Sequence, residues 1–253
     1  MKAPLFGCGP AVASWFAPLL LLWPGVSDTR ADNLIPNGDF SGGFASWATL
    51  GSTDTDTSFT YGAPGAGTIS PITGSQVSEI HSSGANAAAL AGFLGVTTAA
   101  MNNAGGVSHV TADGAAIKTT FWGGGLVSFN WNYWTLDAPP PIPDYNDFSI
   151  ATISGPGIAG TEVILLADVY GNGLADPTGL GPANGTGWQS LTIPLPGTGN
   201  YTIGFASLNP GDRNYDSYLH IDNVRTLPEP GTAFSATFLL AFLLFQRTRR
   251  RQR

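Results

Sequence analysis

The stretch Val127-Ser128-Phe129-Asn130-Trp131-Asn132-Tyr133-Trp134 points to the class of the fold. Large apolar side chains take every second position from Val127 to Tyr133, with Ser128, Asn130 and Asn132 between them. That is the period of a strand with one face buried and one face polar. Trp134 falls on the polar face, shortly before Ala138-Pro139-Pro140-Pro141. Moving outward, Phe148–Ile153, Glu162–Tyr170, Trp188–Leu195, Tyr201–Leu208 and Tyr218–Val224 read as further strands. Turn formers separate them at Ser154-Gly155-Pro156-Gly157, Gly171-Asn172-Gly173 and Pro196-Gly197-Thr198-Gly199. From Asn33 to Thr226 the one helical signal is a short Ala-rich run over Asn86–Leu94. Short strands joined by such turns predict an all-β, two-sheet antiparallel sandwich.

Composition agrees with a folded, turn-rich chain. Gly (34) and Pro (19) make up about a fifth of the 253 residues, below the level of low-complexity disorder. Aromatic residues at 11% and hydrophobic residues at 43% supply a core. Charge is distributed unevenly. Between Asp32 and Pro230 there are sixteen acidic residues and three basic ones (Lys118, Arg213, Arg225), a net charge of −13. Such a surface has almost no cations to exchange for phosphate counterions, so nucleic acid is excluded as a partner of this region. The lone cysteine, Cys8, precedes Asp32, so the region contains no disulfide.

The two ends differ from the middle. Lys2, an apolar stretch from Ala11 to Val26, the break at Pro24-Gly25, and small residues at Thr29 and Ala31 have the layout of a signal peptide over residues 1–31, cut before Asp32. The alternative is an uncleaved signal anchor. At the other end, Leu227-Pro228-Glu229-Pro230 precedes an uncharged run over residues 231–246, and Arg247, Arg249, Arg250, Arg251 and Arg253 follow it. Sixteen residues at ~1.5 Å each span ~24 Å, a slightly short transmembrane helix. The arginines predict a cytoplasmic tail and an exported domain.

This tail, residues 227–253, resembles the PEP-CTERM sorting signal of Gram-negative bacteria. The resemblance implies that Pro228, Glu229 and Pro230 are read by an exosortase, a membrane enzyme that cuts near the motif. The protein would then be held briefly in the inner membrane, domain outward, before release to the cell surface or an exopolysaccharide-rich matrix. The alternative is an ordinary single-pass anchor with prolines beside it. Two prolines hold the motif extended and deny it helical hydrogen bonds, which suits a protease grip.

Residues 32–226 carry a second resemblance. Asn33-Leu34-Ile35-Pro36-Asn37-Gly38-Asp39-Phe40 at one end and Leu219-His220-Ile221-Asp222-Asn223-Val224 at the other are similar to the terminal strands of galactose-binding and carbohydrate-binding-module jelly rolls. By that resemblance the first and last strands pair, and a structural Ca²⁺ ties them through Asp39 and Asp222, hard oxygen ligands that suit the ion; the alternative is that Asp39 ends a turn and Asp222 is exposed or hydrogen-bonded. Ser41 stands where an acid is usual. Asp168, Asn172, Gly173 and Asp176 follow part of a calcium-loop pattern, but Tyr170 and Leu180 occupy ligand positions, which favours a plain turn.

Catalytic constellations are sparse. His81, His109 and His220 lie far apart, and Glu79 and Glu162 are the glutamates of residues 32–226. No nucleophile elbow, phosphate loop or metal-protease spacing occurs, so the expectation is a non-enzymatic envelope protein. A carbohydrate-binding module acting on exopolysaccharide is the rival, with Trp47 and Trp134 as candidate stacking faces; the alternative for both rings is packing in the core, where tryptophans mostly lie. A secreted glycoside hydrolase is the third reading.

Overall fold

The computed structural model describes residues 35–61, 67–106, 110–135, 146–170 and 184–227. The signal segment 1–31, the motif Pro228-Glu229-Pro230, the apolar run 231–246 and the arginines from Arg247 to Arg253 lie outside these residues. So do His109, Asn172, Gly173 and Asp176. Among the described residues no helix is long and apolar enough to cross a membrane.

The elements run β1 (Ala48–Leu50), β2 (Thr53–Asp56), β3 (Phe59–Thr60), β4 (Thr68–Ile69), β5 (Val77–His81), α1 (Ala87–Leu94), α2 (Thr98–Ala104), β6 (Thr111–Thr135), β7 (Phe148–Ser154), β8 (Thr161–Asp168), β9 (Asn184–Gly185), β10 (Gln189–Pro210) and β11 (Ser217–Leu227). All pairings are antiparallel, and the main sheet has the order β2-β5-β11-β6-β10-β7-β8. β1 and β9 add to β6.

Two strands are far longer than the usual five or six residues. β6 has 25 residues and β10 has 22. A straight strand of 25 residues would run ~80 Å, several times the width of a small domain. The pair bends instead at Gly123-Gly124-Gly125, where Gly125 has φ +82°, opposite a register break between Leu195 and Gly199. The two halves thereby enter different layers. Front β6 pairs with Asn200–Pro210 of β10, which continues to β7 and β8. Back β6 pairs with Gln189–Leu195 and with β11, then β5 and β2. The layers face each other: Phe129 of back β6 meets Phe205 edge-to-face at 4.7 Å, although Phe205 pairs with Ile117 of front β6. The result is an antiparallel β sandwich.

Val127, Phe129, Trp131 and Tyr133 all point into this interlayer core, with Ile117, Phe121, Ile203, Phe205, Leu219 and Ile221. Each fully buried side chain of this size contributes about 1.5–3 kcal/mol. Behind the front layer, Ala116 and Ala206 are small enough for helices to sit close, and Leu90, Leu94 and Met101 cover them along with Phe148, Ile150 and Leu208. Asn86 and Thr97 cap the two helices by accepting from the Ala89 and Ala100 amides at 3.0 Å.

Two expectations need correcting. Trp188–Leu195 and Tyr201–Leu208 are parts of one strand, because Pro196–Gly199 makes a bulge in β10 and the chain does not reverse there. The described part of the N-terminal signature, from Ile35, is not a strand: Ile35 to Ser46 is a run of turns, and β11 pairs with β5 and β6. The signatures at the two ends still meet. β11 has a register break between Asp222 and Arg225, which frees the Val224 amide to donate to the Gly38 carbonyl at 2.8 Å.

Candidate functional site

Strand register sets the outer face of the back layer. His81 lies opposite Tyr218, and Tyr218 opposite Trp134, forming one row. Asp54, Glu79, His220 and Asn132 form the next. Period-2 alternation places these polar and aromatic groups together because their neighbours Ile80, Leu219, Ile221 and Tyr133 belong to the core. The short hairpin of β3 and β4 lies over the rows. The Tyr61 hydroxyl meets His220 Nε2 at 2.7 Å, and its ring packs on Trp134 (5.4 Å) and Tyr218 (4.7 Å).

Glu79 sits buried between the two imidazoles, 2.5 Å from His81 Nε2 and 3.4 Å from His220 Nε2. Burial pushes its carboxyl up, but the hydrogen bonds and charges of His220 and His81 outweigh this and hold it below the usual range. Burial pulls His81 down, yet Glu79 more than reverses that and leaves the imidazole above its ordinary value. This cluster is a structural polar network beneath a lid of aromatic rings.

Tyr218, the middle residue of the first row, also borders a shallow, open cleft of about 680 Å³ whose other lining residues are Arg213, Asn214, Tyr215 and Asp216. The loop between β10 and β11 is braced from within: Asn209 Nδ2 donates to the Asn214 carbonyl (3.2 Å), and the Asn214 amide donates to Asp212 Oδ1 (2.9 Å). Tyr215 takes a left-handed φ of +57° and leaves its side chain outward, 66% exposed. A non-glycine residue in that region is uncommon and is associated with functional positions.

The candidates from sequence fall elsewhere. Trp47 is 6% exposed and belongs to the core, against Phe40 (5.0 Å) and Phe205 (6.2 Å), with its indole N–H donating to the Asn37 carbonyl. The turn before it folds the ring inward, so it offers no sugar platform. Trp134 does lie on the face opposite the Phe129 stripe, but it is 8% exposed, packed under Tyr61 and against Gly67 and Gly185. Asp39 accepts from the Ser41 amide (3.2 Å) and hydroxyl (3.1 Å). Asp222 accepts from the amides of Ile72, Thr73 and Asn223 and from the Thr73 hydroxyl. Both aspartates thus adjoin the loop of residues 72–75, whose Ser75 amide donates to Ser41 Oγ at 3.1 Å. Among the described residues, no group of three or more His, Cys, Asp or Glu is arranged to hold a metal ion. Tyr215 was not singled out from sequence; its one signal there is an aromatic ring inside the otherwise polar turn Gly211-Asp212-Arg213-Asn214.

No protein-family model and no curated protein sequence matches the chain. Solved structures similar to it include TmCBM61 in complex with beta-1,4-galactotriose, with a TM-score of 0.42 and 11% identity over 78% of this chain and 99% of that one. A carbohydrate-binding module of the beta-sandwich superfamily gives 0.32 and 11% over 79% of this chain and 62% of that one. The enzymatically active domain of tailspike protein 4 from bacteriophage CBA120 gives 0.36 and 11% over 76% and 21%. The neighbours include both binding modules and an enzyme domain, so the functional reading rests on the chain's own residues.

Proposed function

We propose that the domain is a non-catalytic carbohydrate-binding module whose site is the cleft at Tyr215 and Tyr218, and that the C-terminal tail delivers it to the cell surface or matrix. The observation that carries the first part is Tyr215: an exposed ring, held outward by a fixed loop, beside Arg213, Asn214 and Asp216. Sugar rings present apolar C–H faces that stack on such a ring, while their hydroxyls bond to guanidinium, amide and carboxylate groups. Covering one tyrosine face, on the order of 60 Å², contributes about 1.5 kcal/mol, close to a factor of ten in affinity. A retaining or inverting glycosidase would need a second carboxylate facing Asp216 across the substrate; among the described residues that line the cleft, Asp216 is the acid.

Tyr215→Ala is therefore expected to weaken oligosaccharide binding about tenfold in calorimetry, on whichever glycan an array selects, while Tyr215→Phe keeps most of it. Equal affinity of Tyr215→Ala and wild type would sink the cleft assignment.

Delivery rests on the tail's sequence. β11 runs to Leu227, the residue before Pro228. Replacing Pro228, Glu229 and Pro230 with alanine is expected to leave the protein in the inner membrane with its arginines attached. An identical mature C-terminus in mutant and wild type, read by intact mass, would count against sorting through this motif.

A further inference from the structure

The end of the sandwich from which the tail leaves differs from the rest of the surface. β11 finishes at Leu227, opposite Leu126 of β6, and Leu126 lies opposite Pro194 of β10. The alternate phase of the same strands, Val127 and Ile193, belongs to the core, so this row faces outward. Trp122 keeps the outward phase on the other side of the glycine bend and is 59% exposed. Pro196 is exposed in the bulge that accompanies the bend. The bulge is held in place: the buried Tyr201 hydroxyl accepts from the Gly197 amide (3.0 Å) and reaches the Pro156 carbonyl (2.9 Å) in the turn between β7 and β8. Charge is sparse at this end. Residues 122–126, 154–160, 191–200 and 225–227 contain no acid and one cation, Arg225, although residues 32–230 carry −13.

Taking the apolar run 231–246 as the membrane span of the delivery reading above, we propose that this end docks on the lipid bilayer while the tail is still inserted. Trp122 then sits in the headgroup layer with the row of Leu126, Pro194 and Leu227. The tether is too short to hold the domain away. Four residue steps separate Leu227 from Gly231, a reach of at most ~14 Å, and the polar layer on one side of a bilayer fills ~5–8 Å of that. The run itself spans ~24 Å against a ~30 Å hydrocarbon core, which draws its ends inward. Tryptophan suits the headgroup layer, because its ring is apolar and its N–H stays wet. An end bearing the domain's carboxylates would have to desolvate them on the same approach, and this end has none in its four segments. Docking also sets direction. β10 runs from Asn200, opposite Trp122, to Pro210, ten residues or ~33 Å further on, next to the loop that carries Tyr215. The Tyr215 cleft is thereby turned away from the membrane.

The test uses the exported chain with its tail attached and Cys8→Ser in place, in vesicles of phosphatidylethanolamine and phosphatidylglycerol. A cysteine carrying a fluorophore replaces either Thr198, exposed at the bend, or Val110, exposed at the far end. A lipid with a nitroxide at headgroup depth is expected to quench the probe at Thr198 and not the probe at Val110. Trp122→Ala should lower the docked-to-free ratio about tenfold, the factor that corresponds to covering on the order of 60 Å² of the indole. Trp122→Phe should keep most of the docking.

Equal quenching at the two sites, in a chain that floats with the vesicles, overturns the docking surface and leaves the membrane anchor standing. Unchanged quenching in Trp122→Ala also overturns it, and a simultaneous loss of oligosaccharide binding would assign the ring to a sugar instead. A chain that does not float with the vesicles removes the tail reading itself.

Discussion

Gly38→Ala is expected to destabilise the domain by about 4 kcal/mol, among the largest costs of a single methyl group. A Cβ on Gly38 would fall inside the van der Waals sphere of the Val224 carbonyl oxygen. Backbone opposes backbone there, so no rotamer relieves the overlap. The Gly38 carbonyl also accepts the Val224 amide, which leaves the two segments no room to separate without losing that bond. If the N-terminal segment lifts, it withdraws Ile35, Phe40 and Trp47 from the interlayer core. Truncating a single buried Phe or Trp costs about 3–5 kcal/mol, and the segment carries both. Equilibrium urea unfolding reads the loss as a shift of about 2 M in midpoint at a slope of ~2 kcal/mol/M. Gly92→Ala is the control of opposite sign: nothing lies within 4 Å of a Cβ at this exposed position of α1, so a gain of about 0.5–1 kcal/mol is expected. A Gly38→Ala midpoint indistinguishable from wild type would show that the contact is not rigid.

The same contact explains what the two terminal signatures spell. Asn37 (φ +54°) and Asn223 (φ +56°) are both left-handed and flank the point where Gly38 meets Val224. Asparagine tolerates that region better than most residues, and the glycine is required by close approach. The sequence therefore shows that the ends belong together. It does not show how, because turn-rich docking at a bulge and strand pairing call for the same residue types. Alternation was legible wherever one face is core, as from Val127 to Tyr133. The length of β6 and β10 was not, because Pro196–Gly199 reads as a chain reversal and the alternation of β6 is clear only from Val127 onward. Whether such residues turn a chain back or bend it onward depends on a partner strand curving alongside, which no local pattern reports.

The candidate site was less legible than the fold. Strand phase and loop proximity single out Trp47 and Trp134, yet both rings are covered. The cover comes from Asn37 and Phe40 in one case and from Tyr61 in the other. These residues are distant in sequence or approach through turns, so period-2 reasoning cannot see them. Tyr215 is exposed for a local reason: a short polar turn has no apolar neighbour to bury it.

Asp222→Ala is expected to cost about 4 kcal/mol, and Asp222→Asn only about 1–2 kcal/mol. The Asp222 carboxylate is fully buried, with Oδ2 accepting the Ile72 (2.5 Å) and Thr73 (2.9 Å) amides and Oδ1 accepting the Thr73 hydroxyl (3.1 Å) and the Asn223 amide (2.6 Å). Alanine leaves three backbone N–H groups without an acceptor, each worth about 1–3 kcal/mol if it stays buried, less whatever the loop regains from water. Asparagine can keep its oxygen on the Ile72 and Thr73 amides and turn its NH₂ to the Thr73 hydroxyl, which can accept. Only the Asn223 amide then faces a donor. Burial raises Asp222 above the ordinary carboxylate range in spite of these bonds. An acid raised in the folded state favours folding most when protonated, and that contribution falls as pH rises from the unfolded value through the folded one. The deficit of Asp222→Asn relative to wild type should therefore narrow between mildly acid and neutral pH. Urea midpoints of the three proteins across that range test the order. A deficit that widens with pH would mean the ionised carboxylate is the better-held form, and would reverse the role assigned to burial.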